Sequence, residues 1–136
     1  MIQVAVGILV SDGKVLLCQR KKISRYALKW EFPGGKVEDG ETPQNCLRRE
    51  LLEELNIQID TAQLYHQQQA FYPDNGVFDV LYYLVPTFTG KIVNNMFKSY
   101  AWVPFVKLQE YEILDGNKDV VAKLLSDHEN LRPEPR

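Results

Sequence analysis

Apolar and polar positions follow two rhythms along this chain. Val4 to Val10 and Lys14 to Gln19 are β-rich runs joined across Ser11-Asp12-Gly13, and the Asp-Gly step favours a tight turn, so the chain opens as a β-hairpin. A polar, basic stretch from Arg20 to Lys29 follows. Trp30-Glu31-Phe32 then reads as a short strand stopped by a Pro33-Gly34-Gly35 loop. Beyond it the rhythm changes. Thr42 is placed to cap a helix with Pro43 in its first turn, and Leu47, Leu51, Leu52 and Leu55 recur at helical spacing as its apolar side.

Gln58 to Phe71 and Val77 to Val85 read as two more strands, with a turn over Tyr72-Pro73-Asp74-Asn75-Gly76. A polar loop from Thr89 to Lys98 separates them from a last strand, Tyr100 to Val103, and the spacing predicts a second helix over Lys118 to Leu125. The residues after it, with their prolines, read as a loose tail. Strands interleaved with two helices predict an α/β (α+β) fold, a mixed β-sheet between helices. Residues 1–128 are expected to form one domain and 129–136 the tail. There is no internal repeat and no low-complexity segment.

Composition narrows the classes. With 136 residues, 45% of them hydrophobic, the chain is able to bury a core without metal or disulfide staples. A net charge of −2 gives no broad basic face for nucleic acid, so a polyphosphate partner has to be held locally or through cations. Cys18 and Cys46 are the only cysteines; neither matches a zinc spacing, and they read as reduced thiols of an intracellular protein. The apolar opening is far shorter than the roughly 20 residues of a membrane span. A cytoplasmic protein is expected, monomer or homodimer.

The candidate chemistry lies on the Pro43 helix. At about 100° per residue, Glu50, Glu53 and Glu54 share one edge, away from the leucines. Like charges at this spacing, near the helix end that already carries partial negative charge, cost stability unless something positive offsets them. A hard cation such as Mg²⁺ would do so, since it prefers oxygen ligands and shares its shell with phosphates. The plain alternative is a solvated acidic face partly neutralised by Arg49.

The wider spacing separates these readings. Gly35, five residues, Glu41, seven residues, Arg49-Glu50-Leu51, one residue, then Glu53-Glu54 and Ile57 resembles the signature of the Nudix hydrolases. Asn56 replaces that signature's second glycine, and asparagine is the residue that best tolerates the left-handed helix cap expected there. The resemblance implies an α/β/α sandwich and a hydrolase acting on phosphoanhydride bonds. It implies Mg²⁺, with Mn²⁺ possible, on the Gly35 carbonyl and the Glu50, Glu53 and Glu54 carboxylates. Arg49 would hold the glutamate rotamers and Glu41 would support the loop. Many family members carry a further glutamate just before the last strand; no Asp or Glu occurs from Leu84 through Val103 here. A box carboxylate, Glu53 for preference, is therefore expected to activate the water.

Val4-Ala5-Val6-Gly7, Glu31-Phe32-Pro33-Gly34-Gly35-Lys36, Phe71-Tyr72-Pro73-Asp74, Trp102 and Asn117 also resemble the MutT-like branch, which hydrolyses oxidised guanine triphosphates. That likeness implies a nucleoside triphosphate substrate such as 8-oxo-dGTP, cleaved to monophosphate and pyrophosphate. Asn117 would read the base and Phe32 and Phe78 would shape its pocket. Arg20 and Lys36 are placed to meet the phosphates. For each there is a plainer role: Asn117 as cap of the second helix, Phe32, Phe71 and Phe78 as core, Arg20 and Lys36 as solvated cations. Cytidine triphosphates, nucleoside diphosphate-linked compounds, or nucleotide binding without turnover remain as alternatives.

Overall fold

A computed structural model describes residues 1–72 and 76–128. The opening hairpin forms from β1 (Ile2–Ser11) and β2 (Lys14–Gln19), with Asp12 and Gly13 both at positive φ, 52° and 74°, as a two-residue turn matching strand twist requires. The short strand β3 is Trp30–Glu31 and pairs antiparallel with β2. Pro33-Gly34-Gly35 is not simply a loop: Gly34–Lys36 forms β4, antiparallel to Val4–Val6 of β1. A Cβ on Gly34 would overlap the Ala5 carbonyl, so only glycine lets the two backbones come this close.

Helix α1 spans Pro43–Leu55, with the Thr42 hydroxyl accepting from the Asn45 backbone N–H at 3.2 Å. At its other end Asn56 adopts the left-handed conformation, φ 60°, and its N–H donates to the Leu52 carbonyl at 3.0 Å. The stretch expected as one strand from Gln58 to Phe71 divides in two at Asp60, a residue disfavoured in strands. Its first part, β5 (Gln58–Ile59), pairs with β8 (Phe88–Thr89) in a small separate sheet, so the polar loop begins one residue later than expected. The rest is β6 (Gln63–Tyr72), an edge strand antiparallel to β7 (Gly76–Val85). β9 (Ser99–Pro104) pairs with β2, and α2 runs Lys118–Asp127. Two 3₁₀ turns, Phe105–Glu110 and Asp115–Asn117, were not anticipated. The centre of the turn at Pro73-Asp74-Asn75 and the expected tail at 129–136 lie outside the described residues.

The main sheet runs β3-β2-β1-β7-β6, with β1 and β7 parallel and the other pairs antiparallel. Alternation along β1 sends Ala5 and Leu9 to one face, against Leu47, Leu51 and Leu55 of α1. Val6 and Ile8 go to the other, against Val120, Val121 and Leu124 of α2. The result is the mixed sheet between two helices that the pattern predicts. Leu52 corrects the expected apolar stripe: it is 46% exposed, and Glu54 takes its place on the buried side. No helix among the described residues is long and apolar enough to cross a membrane.

Candidate active site

The carboxylates of α1 are graded by burial rather than aligned on one wet edge. Glu54 is buried against the sheet and its Oε1 accepts from the Gly34 N–H at 3.3 Å. Glu50 lies over Gly35, so close that a Cβ there would overlap its carboxylate. Glu53 stands 59% exposed. Arg49 links the set: it grips Glu41 with Nε at 2.7 Å and Nη2 at 3.0 Å, and places Nη1 2.9 Å from Glu50 and 3.5 Å from Glu53. The Arg49 guanidinium draws the Glu41 pKa down to about 2.

Burial, then the charges of Glu50 and Glu31, pushes the Glu54 carboxyl up to about 9. Glu50 is also raised by burial, despite Arg49 beside it. Both carboxyls are thus desolvated, and Glu54 is also crowded by other carboxylates, a setting in which a hard cation would favour their charged forms. Glu50, Glu54 and the Gly35 carbonyl fit such an ion. Glu53 turns toward Arg49 instead, and among the described residues no three acidic, Cys or His side chains converge as a ready-made cage.

Beside Glu54 opens a cavity of about 340 Å³. Val4, Val6, Phe32, Phe78 and Val80 line it as apolar wall, and Arg20, Lys36, Glu54 and Asn117 are among its polar groups. All five residues singled out for substrate contact therefore meet in one space; Arg49, Glu50 and Glu53 stand outside its lining. Phe32 and Phe78 belong to the core and to the wall at once, and Phe71, 69% exposed, to neither. Lys36 is exposed, with Nζ 5.6 Å from the centre of the Phe78 ring. Asn117 occupies the N-cap position of α2 but gives the helix no side-chain bond: its side chain is buried and bonded to the Phe32 N–H and the Tyr82 hydroxyl instead.

Sequence reasoning missed Glu31, Tyr72 and Tyr82, all lining the cavity. Glu31 receives Arg20 Nη1 on both oxygens at 3.1 Å, while Arg20 Nε donates to the Arg25 carbonyl at 2.7 Å, so Arg20 is held in place and not a loose surface cation. The alternation of Trp30-Glu31-Phe32, a charge between two aromatics, was the available signal for Glu31. The loop before β9 docks on the end of α1: the Val93 and Asn95 N–H groups donate to the Leu55 and Glu54 carbonyls at 3.0 and 2.9 Å, and Met96 reaches the cavity. Behind the carboxylate loop, the Cys46 thiol faces the Gly35 and Lys36 carbonyls at 3.5 and 3.4 Å.

A glycine loop packed on a carboxylate-bearing helix, beside a pocket lined by Arg20 and Lys36, suits a hydrolase of phosphoanhydride bonds. The NUDIX domain model matches residues 1–124, and the chain belongs to the Nudix family, in its MutT-like branch. It is 35% identical over 131 residues to the 8-oxo-dGTP diphosphatase of Haemophilus influenzae, covering 96% of each chain. It is 36% identical over 104 residues to the CTP pyrophosphohydrolase of Escherichia coli, covering 75% of each. A solved MutT structure, from work on the Aliivibrio salmonicida and Vibrio cholerae proteins, superposes with a TM-score of 0.80 at 26% identity, over 93% of this chain and 98% of that one.

Proposed function

We propose that this protein hydrolyses 8-oxo-dGTP, or a closely related modified nucleoside triphosphate, to the monophosphate and pyrophosphate, with Mg²⁺ as its cofactor and Mn²⁺ as a substitute. The observation that carries this reading is the single cavity joining base-sized apolar walls, the Asn117 amide, the Arg20 and Lys36 cations and the Glu54 carboxyl. Its volume suits one nucleoside rather than a polymer.

Nudix hydrolases generally use divalent metals. Of the four ligands that the signature implies, the Gly35 carbonyl, Glu50 and Glu54 would hold the ion, leaving Glu53 free of it; when bound, the ion would polarise phosphate oxygens and orient an attacking water. Phe32, Phe78 and Val80 hold the base away from water. Arg20, braced by Glu31, and Lys36 neutralise the phosphate chain. Glu53, the exposed carboxylate of the helix, accepts the proton of the attacking water, and Arg49 fixes Glu50 and Glu53 in place. The lack of any acidic residue from Leu84 through Val103 supports giving that proton to the helix.

A second reading, a cytidine triphosphate pyrophosphohydrolase, is favoured by the likeness to the E. coli CTP enzyme. The test is a panel of oxidised and unmodified nucleoside triphosphates compared by kcat/KM, with products resolved by phosphorus NMR. The expected result is highest kcat/KM on 8-oxo-dGTP with pyrophosphate released; highest kcat/KM on CTP selects the second reading. Glu53→Gln is expected to lower kcat by about 100-fold or more, and full activity in that variant removes Glu53 from the proton transfer.

A further inference from the structure

Asn117 is held from two sides, and one hold is a tyrosine hydroxyl deep in the sheet. Tyr82, on β7, is buried; its OH donates to the Gly116 carbonyl at 2.9 Å, where Gln68 Nε2 also donates at 3.2 Å. The Gly116 backbone is itself confined, because a Cβ there would overlap the Tyr72 hydroxyl. With its hydrogen committed to Gly116, the Tyr82 oxygen offers only lone pairs to Asn117, whose Nδ2 donates to it at 3.2 Å. Opposite, the Phe32 N–H donates to Asn117 Oδ1 at 3.1 Å. Burial pushes the Tyr82 phenol further up from its already high range, so the hydroxyl keeps its proton across physiological pH.

A primary amide has two hydrogens and two oxygen lone pairs. One of each is used by Tyr82 and Phe32, which leaves one hydrogen and one lone pair on a residue that lines the cavity. Flipping the amide would set its NH₂ against the Phe32 N–H and its oxygen against an acceptor, two mismatches in a buried place.

We propose that Tyr82 is a specificity-determining positioning residue: through its hydroxyl it fixes the Asn117 amide so that the cavity presents a hydrogen-bond donor beside an acceptor. Such an edge pairs with a base that shows a carbonyl next to an N–H. The O6/N7 edge of an oxidised guanine has that pattern, since oxidation at C8 places a hydrogen on N7, whereas unmodified guanine shows two acceptors there. This inference rests on the reading that the cavity takes the base of a nucleotide.

The experiment compares the intact protein with Tyr82→Phe, Asn117→Ala and the double variant, measuring kcat and KM for 8-oxo-dGTP and dGTP, with thermal melts alongside. Tyr82→Phe removes one oxygen and keeps the buried ring, so the fold survives it. The expected result is a rise in KM for 8-oxo-dGTP with kcat held within about twofold, and a fall of about fivefold in the 8-oxo-dGTP to dGTP preference, the worth of one neutral hydrogen bond. In the Asn117→Ala background the same change is expected to do nothing further, because the hydroxyl acts through that amide. An unchanged preference in Tyr82→Phe, or an equal loss in the Asn117→Ala background, overturns the proposal while leaving the nucleotide reading intact. An unsubstituted protein that turns over neither nucleotide overturns both.

Discussion

Arg49 of α1 holds Glu41, eight positions earlier in the carboxylate loop, through both carboxylate oxygens at 2.7 and 3.0 Å. The pair anchors the loop to the helix, and it sets how the protein responds to acid. The folded Glu41 pKa is depressed from 4.5 to about 2. Its contribution is therefore complete above pH 4.5 and is lost as pH falls from there toward 2, because the unfolded chain takes up the proton first. Urea melts between pH 2 and 6 should show this acid limb in the parent protein and a flatter one in Glu41→Gln. Equal slopes in the two proteins would remove Glu41 from the acid response.

Glu54 gives the opposite sign. Its folded pKa is raised from 4.5 to about 9, so between those values the folded protein keeps a proton that the unfolded chain gives up. In the presence of a chelator, stability is expected to fall as pH rises across that window and to level off above it. Glu54→Gln should lose this slope. The check is a series of thermal melts from pH 5 to 9.5 in EDTA, and a parent curve that rises with pH would contradict the assignment.

Gly35→Ala places a methyl group where the Glu50 carboxylate lies. The carboxylate has to move, and a displaced ligand or its support commonly costs about 10- to 100-fold in metal affinity or activity. Activity against Mg²⁺ concentration should show that loss. A variant with parental activity at low Mg²⁺ would mean that Glu50 need not occupy this position.

On α1 itself, Leu51 is fully buried and Leu52 is 46% exposed. Leu51→Ala is expected to cost about 2–5 kcal/mol of unfolding free energy, as buried leucine truncations do. Leu52→Ala should stay within about 0.5 kcal/mol, the usual range for surface changes. Asn56→Ala, which puts an ordinary residue at φ 60°, should cost about 1–2 kcal/mol, and Asn56→Gly should not. Denaturant titrations of the four variants order these costs directly.

The contrast between Leu51 and Leu52 marks how far the sequence could be read. Helix α1, its Thr42 cap and its Asn56 terminus were legible because each is decided within a few residues. Leu52 was misplaced because a leucine stripe at helical spacing does not say where the sheet ends and Glu54 must fit. Strands β4, β5 and β8 depend on partners far along the chain, so Gly34-Gly35 read as a loop when its partner is β1. In the candidate site, Asn117, Phe32, Phe78, Arg20 and Lys36 could be named in advance because each belongs to a stretch resembling a known pattern or ends a clear strand. Tyr82 could not: within Val80-Leu81-Tyr82-Tyr83-Leu84 it looks like any core aromatic, and its hydroxyl acquires meaning only when Gly116 arrives from 34 residues away.

The thiol of Cys46, enclosed by the Gly35 and Lys36 carbonyls, works as a timer. With the thiol fully buried, a reagent is expected to reach it when that stretch of main chain lifts off α1, so the rate of alkylation should count these local openings. Cys18, sealed within the sheet, is expected to react on the slower schedule of whole-molecule unfolding. Two clocks in one chain thus distinguish breathing of the carboxylate loop from melting, and a nucleotide or ion that settles there should slow the first before it touches the second.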